Sequence, residues 1–272
     1  MKKVIILLIF LNVISPFKNL YAQSNPIFSV EHIPNLHFLG MYIGFGQNLQ
    51  SGKIFPECID CTFEKGNKFG FTAGVLYEYR LFNSVYLGSA IEYNSLGIDA
   101  FFTEIEPVPI QIPINENDYY IENANVKFQH EANLSIHNLS LVPYIKYQPF
   151  NFMFIRLGAG IGYNLSNHFV HKKSLAQSTY TLSSGEIVSL RVPNATKNTI
   201  IEDTELAQNN PFQIYLNSAL GFNINFSEKL TFSPIFSYSN AFMNISERGE
   251  NPKVNYWRIL LELRYDITGD ED

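Results

Sequence analysis

At 272 residues with a formal charge of −6, the chain has no basic excess with which to hold a nucleic acid. Its 15% aromatic and 16% charged residues make it rich in rings and poor in ions for a water-soluble domain. No apolar stretch reaches the ~20 uninterrupted residues of a membrane-spanning helix, which excludes a helical membrane protein.

Met1-Lys2-Lys3, an apolar run over Val4–Ile14 and small Ala22 before Gln23 read as a secretory signal peptide cut after residue 22. The expected organisation is a signal peptide over 1–22, a periplasmic segment over 23–35, one β-barrel domain over 36–267 and a periplasmic tail over 268–272.

Alternation with a period of two then organises the chain into eight strands. The first turns Leu39, Met41, Ile43 and Phe45 to one face and Phe38, Gly40, Tyr42, Gly44 and Gly46 to the other. The second, Lys68 to Arg80, pairs an outer face of Phe69, Phe71, Ala73, Val75, Tyr77 and Tyr79 with an inner face that includes Gly70, Gly74 and Glu78. The third puts Val85, Leu87, Ser89, Ile91 and Tyr93 outside, and the fourth, Leu134 to Tyr147, puts Leu139, Leu141, Pro143, Ile145 and Tyr147 there. After the tight break at Gln148–Asn151, the fifth opposes Met153, Ile155, Leu157, Ala159, Ile161, Tyr163 and Leu165 to Phe154, Arg156, Gly158, Gly160, Gly162 and Asn164. The sixth runs Phe212 to Phe226, the seventh turns out Leu230, Phe232, Pro234, Phe236 and Tyr238, and the eighth turns out Trp257, Ile259, Leu261, Leu263, Tyr265 and Ile267.

None of these outer faces carries Asp, Glu, Lys or Arg. A lipid-facing strand needs that exclusion, because Arg or Lys at the bilayer midplane costs about 2–4 kcal/mol, and a soluble barrel does not. The strands are also longer than the 5–6 residues typical of soluble sandwiches. Connections alternate in length: long at 48–67, 97–133 and 166–210, moderate at 241–252, and short at 81–84, 148–151 and 227–229. The fold class expected is all-β, an eight-stranded antiparallel up-and-down transmembrane barrel in a Gram-negative-type outer membrane, with both termini periplasmic and the long loops outside. Thr179–Val192 reads as a hairpin about Ser183-Ser184-Gly185, and Val108–Ile114 as extended. Pro143 and Pro234 fall inside strands, where each removes a ladder donor, so a bulge or a rim position is expected at each. Tyrosines and Trp257 at strand ends fit interfacial girdles.

The signal peptide, the stretch LSLVPYIKYQPFNFMFIRLGAGIGYNLS and the glycine-rich strands KFGFTAGVLYEYR and YLGSAIEYNSLG resemble PorT-like outer-membrane β-barrel proteins with an OmpA-type transmembrane domain. The resemblance extends over essentially the whole mature chain and implies an architecture. Proteins similar to it include structural barrels, surface-binding proteins and accessories of a secretion machine.

The inward charges Glu78, Arg80, Glu92, Lys146, Arg156, Arg258, Glu262 and Arg264 are the main constellation. Counting up from the turns places Glu92 level with Arg258, and Arg156 near Glu262 and Glu78. An eight-stranded barrel is only wide enough to be filled by side chains, and a buried ion must be paired, so a salt-bridged plug is expected; a narrow gated pore is the alternative. Cys58 and Cys61, the two cysteines, form Cys-Ile-Asp-Cys in the first long loop and are expected to bridge in an exported protein. A zinc site made from them would need further ligands such as His168 and His171, and no cofactor or metal is called for. His130, Ser135, His137, His168 and His171 are the candidates for a lipid A-modifying enzyme, but no triad spacing appears, and the reading is non-enzymatic with no catalytic residue. The partners expected are outer-membrane lipid and an envelope or external ligand at loops 97–133 and 166–210, with no nucleic acid, on a monomeric barrel.

Overall fold

The computed structural model describes residues 36–56, 61–113, 118–190 and 198–268. The signal peptide, the 23–35 segment and the last four residues of the tail lie outside them, as does Cys58.

Eight antiparallel strands close into a ring: β1 (His37–Ile54), β2 (Gly66–Phe82), β3 (Val85–Pro113), β4 (Tyr119–Phe150), β5 (Met153–Leu175), β6 (Phe212–Phe222, continued by Ile224–Asn225), β7 (Leu230–Ala241) and β8 (Gly249–Asp266). Each strand pairs with its sequence neighbour, and β1 pairs with β8 from Phe38↔Asp266 to Ile54↔Gly249, so within the ring itself no strand is left with an open edge. Closure removes the unpaired backbone groups that lipid cannot satisfy. Among the described residues, no helix is long and apolar enough to cross a membrane, so the crossing is made by strands.

The alternation has the expected sense. Met41, Val75, Ile91, Leu141, Leu157, Ile161 and Phe236 are each more than half exposed on the outside, whereas Tyr42, Leu76, Ala90, Val142 and Tyr215 are buried inside. Short turns at 83–84, 151–152 and 226–229 share one end of the barrel with both described chain ends, where Ile267 N donates to His37 O at 2.9 Å and His37 N donates to Thr268 Oγ1 at 3.0 Å. Tyr77 at that end donates to or accepts from His37 at 2.6 Å, and Tyr93 at the other end meets His137 at 2.5 Å, as hydrogen-bonded interfacial rings do.

Three expectations change. Of the stretches read as loops, 97–133 is almost all strand, and strand extends into 48–67 over 48–54 and into 166–210 over 166–175 and 198–204. β3 and β4 stay in register from Gly97↔Ser135 out to Pro113↔Tyr119, an arm of roughly 50 Å at ~3.3 Å per residue that β5 accompanies along β4 as far as Phe128↔Leu175. β5 runs past the belt to Leu175 and there takes on a further strand, Asn198–Thr204. The 179–189 hairpin pairs Thr179–Thr181 with Ile187–Ser189 around Gly185, whose φ of 87° suits a residue without a Cβ. Second, neither proline makes a bulge. The β4–β5 ladder lapses at Val142–Pro143 and resumes in the same register, and the β6–β7 ladder lapses at Ser233–Pro234 beside Asn223 in the same way. The lost N–H donor costs one rung of a ladder whose flanking rungs fix the register.

Third, the plug is not ionic throughout. At the arm end Ile98, Leu134, Ile136, Phe63 and Phe169, each no more than 1% exposed, form an apolar cap over the polar layers. The β1–β2 connection contributes to it by folding inward, where Ile54 and Phe63 exchange backbone hydrogen bonds at 3.0 and 3.1 Å.

Candidate functional site

Below the cap the lumen holds two polar layers. In the one nearer the turns, β2, β4, β5 and β8 bring together Glu78, Lys146, Arg156, Glu262 and Arg264, all at most 5% exposed. Glu78 is the hub. It is ion-paired with Lys146, accepts from Arg264 Nη1 at 3.0 Å and Arg156 Nη2 at 3.1 Å, and accepts the Tyr144 hydroxyl at 2.9 Å. Arg156 also forks onto Glu262 with two bonds of 2.9 Å, and Arg264 Nε lies 3.1 Å from Glu262. The rings of Tyr86 and Tyr144 lie against the Lys146 ammonium and the Arg156 guanidinium at 4.1 and 4.4 Å. Three cations share two carboxylates; Arg264 Nη2 also donates to the neutral oxygens Asn223 Oδ1 and Ser233 Oγ, while Arg156 Nε is buried without a hydrogen-bond partner. Arg80 stands apart, donating to the carbonyls of Phe82 and Asn83 at the first short turn.

The second layer holds Glu92 and Arg258, which are not paired. Glu92 accepts the hydroxyls of Tyr42 at 2.7 Å and Tyr215 at 2.6 Å and the Asn94 amide at 3.0 Å. Arg258 donates to Asn48 Oδ1 at 2.6 Å, to Thr72 Oγ1 at 3.3 Å and to the carbonyls of Trp257 and Ser95 at 3.0 and 3.3 Å. The two ions, counted as level from the sequence, are each satisfied by neutral partners instead. Both line an internal cavity of about 20 Å³, room for one water molecule.

Lumen-facing glycines make the space for the tyrosines. Gly160 lies opposite Tyr215 in the β5–β6 ladder, and a Cβ there would fall 2.1 Å from the ring. Gly74 lies opposite Tyr42 in the same relation, with the ring at 2.6 Å. Gly160→Ala is expected to displace Tyr215 from Glu92 and cost about 1–3 kcal/mol, the range for forcing an extra methyl into packed space; urea titration of the refolded barrel measures it. A loss below 0.5 kcal/mol, on the order of a neutral surface change, would refute this steric account.

The candidate enzyme residues do not assemble. Ser135 Oγ accepts from Lys68 Nζ at 2.9 Å, His137 is bonded to Tyr93, and His168 is exposed beside Asp203 at 3.1 Å. His130 and His171 do come together, on the inner faces of β4 and β5 beyond the belt, with His130 Nδ1 3.0 Å from His171 Nε2. Burial pushes the His171 imidazole down to about 4, helped by His130 and Lys173; burial and Lys173 also lower His130, against the opposing pull of Glu104 and Glu106. Cys61 is buried with its sulfur 3.8 Å from His130 Nδ1.

No protein-family model matches the chain, and no curated protein matches it. Among solved structures, it is similar to Neisserial surface protein A at 11% identity and a TM-score of 0.36, covering 85% of this chain and 97% of that one. Ail, the attachment invasion locus protein of Yersinia pestis, follows at 11% identity and a TM-score of 0.32, with 84% and 98% covered. The outer membrane protease OmpT from Escherichia coli gives 8% identity and a TM-score of 0.33, with 86% and 98% covered.

Proposed function

We propose that this protein is a non-conducting, non-enzymatic barrel of a Gram-negative-type outer membrane, with its turns and termini in the periplasm, that acts by binding an external or envelope partner through its arms. Support for the membrane reading is the charge-free belt, where half-exposed Leu, Ile and Phe side chains ring the barrel at a density a water-facing surface would not tolerate. The observation that supports the rest is the filled lumen: five buried ions in one network, a cavity of about 20 Å³ beside them and an apolar cluster at the arm end occupy the interior. Function then falls to the arms, whose water-facing strands carry exposed Phe101, Ile105, Ile121, Ile187 and Ile200. Long elements on a rigid scaffold are where binding residues concentrate. The PorT-like resemblance supports an envelope role of this kind, and a bridge between Cys58 and Cys61 would staple the first long loop.

In a planar bilayer the refolded protein is expected to give no defined current steps. Ala100 and Ala132 are register partners, so replacing 101–131 with a two-residue turn is expected to leave a folded barrel that loses surface binding. Stable single-channel openings by the intact protein would refute the proposal, as would undiminished partner binding by the shortened one.

A further inference from the structure

Beyond the belt, the inner faces of β3, β4 and β5 place two carboxylates against the buried histidine pair. His130 is 2% exposed, and its Nε2 has no hydrogen-bond partner. That nitrogen points between Glu104 Oε2 at 3.9 Å and Glu106 Oε1 at 3.7 Å, and the three atoms lie within 4.8 Å of one another. With two edges of 3.7 and 3.9 Å and a third no longer than 4.8 Å, an ion equidistant from the three atoms sits about 2.0–2.5 Å from each, a range that takes in the 2.0–2.2 Å of zinc bonds to His nitrogen and carboxylate oxygen.

The other side of the ring is also arranged. With His130 Nδ1 carrying the proton and donating to His171 Nε2, the lone pair of His130 Nε2 faces the carboxylates, as in metal sites whose ligand histidine is fixed by a second hydrogen bond. Glu106 already holds a cation there, the ammonium of Lys173, which lies over the Phe128 ring at 4.3 Å. The sulfur of Cys61 is not a free thiol, and His168 is turned to Asp203, so the cysteine-based zinc site considered from the sequence is not the one formed.

We propose that Glu104, Glu106 and His130 form a binding site for a divalent transition-metal ion on the outer arms, with His171 as the positioning residue behind His130. Two anionic oxygens and one imidazole nitrogen suit borderline ions such as zinc, and three protein ligands leave a coordination position open. Entry of the ion displaces Lys173 from Glu106, so the lysine competes with it.

The test is calorimetric titration of the refolded full-length mature chain, oxidised and in detergent micelles, with zinc, and a parallel cobalt(II) titration read by its visible spectrum. One saturable equivalent is expected. The shape-preserving pair Glu104→Gln with Glu106→Gln abolishes it, and Lys173→Met tightens it. His171→Phe weakens it about 10–100-fold, the usual effect of removing an outer-shell partner, while His171→Gln, which keeps an acceptor, recovers most of the loss. His168→Ala, at the exposed His–Asp pair, changes nothing. Heat-modifiable gel mobility confirms that each variant is folded. No saturable zinc binding, binding that survives the double glutamine variant, binding lost in His168→Ala, or a thiolate-to-cobalt charge-transfer band would each overturn the assignment.

Discussion

Glu78→Gln is expected to destabilise the barrel by about 3–5 kcal/mol, the cost of removing one partner from a buried ion network. The amide keeps the shape of the carboxylate, so the change isolates charge. Glu78 is fully buried, and Lys146, Arg156 and Arg264 all converge on it. Without its charge, three cations are left with Glu262 alone, each of them at most 5% exposed, so water is a poor replacement for the lost partner. The same inventory predicts an asymmetry. Lys146→Met removes one cation from a cluster with an excess of one, since Glu78 and Glu262 face Lys146, Arg156 and Arg264. It should cost less than Glu78→Gln, and the double variant should be more stable than the sum of the two losses predicts. Urea unfolding of the protein refolded into vesicles gives all three values. A loss below 1 kcal/mol for Glu78→Gln, or strict additivity of the pair, would show that the network is not what closes the lumen.

How far the sequence revealed this structure depends on which solvent each stretch meets. Between Leu39 and Phe45, or Met153 and Leu165, lipid demands an apolar residue at every second position, and the strand is plain. Above the belt β3 continues with Phe101, Thr103, Ile105 and Pro107 outside and Phe102, Glu104 and Glu106 inside. The period of two persists, but water accepts any residue, so the chemical contrast that marks a strand disappears and 97–133 reads as a loop. The apolar cap does have a signal in the sequence: Leu134 and Ile136 fall on the inward face of β4, where an ionic plug has no use for them.

The ion network was less legible than the ring. Height along a strand follows from counting, but which ions meet across the lumen depends on stagger and tilt, which alternation does not encode. Arg156 reaches both Glu262 and Glu78, whereas Glu92 and Arg258, counted as level, turn to tyrosines and amides instead. The small residues were the missed clue: Gly74 and Gly160 lie opposite Tyr42 and Tyr215, marking where rings enter the lumen to donate to Glu92. The metal site was hidden for a related reason. Glu104, Glu106 and His130 sit on two strands more than twenty residues apart in sequence, and only the extended β3–β4 register, with Glu104 across from Phe128 and Glu106 from Val126, brings them to one inner face.

Ala159→Arg is expected to cost about 2–4 kcal/mol relative to Ala159→Leu, the penalty for a guanidinium at the bilayer midplane. Ala159 is exposed and lies midway along the outward run from Met153 to Leu165 on β5. It pairs with Leu216 of β6 and is flanked on its own face by Leu157 and Ile161. Its small side chain makes no packing contribution for the substitution to destroy, and the Ala159→Leu reference corrects for added bulk. The effect should also depend on depth. The same exchange at Leu165, nearer the arm end, should cost about 0–1 kcal/mol, because a long side chain there reaches the interface. Refolding into vesicles followed by reversible denaturant titration measures both. If arginine at position 159 is as well tolerated as leucine, or if the cost is the same at 159 and 165, the belt does not face hydrocarbon, and an eight-stranded ring with a filled interior would have to be explained as a water-soluble barrel.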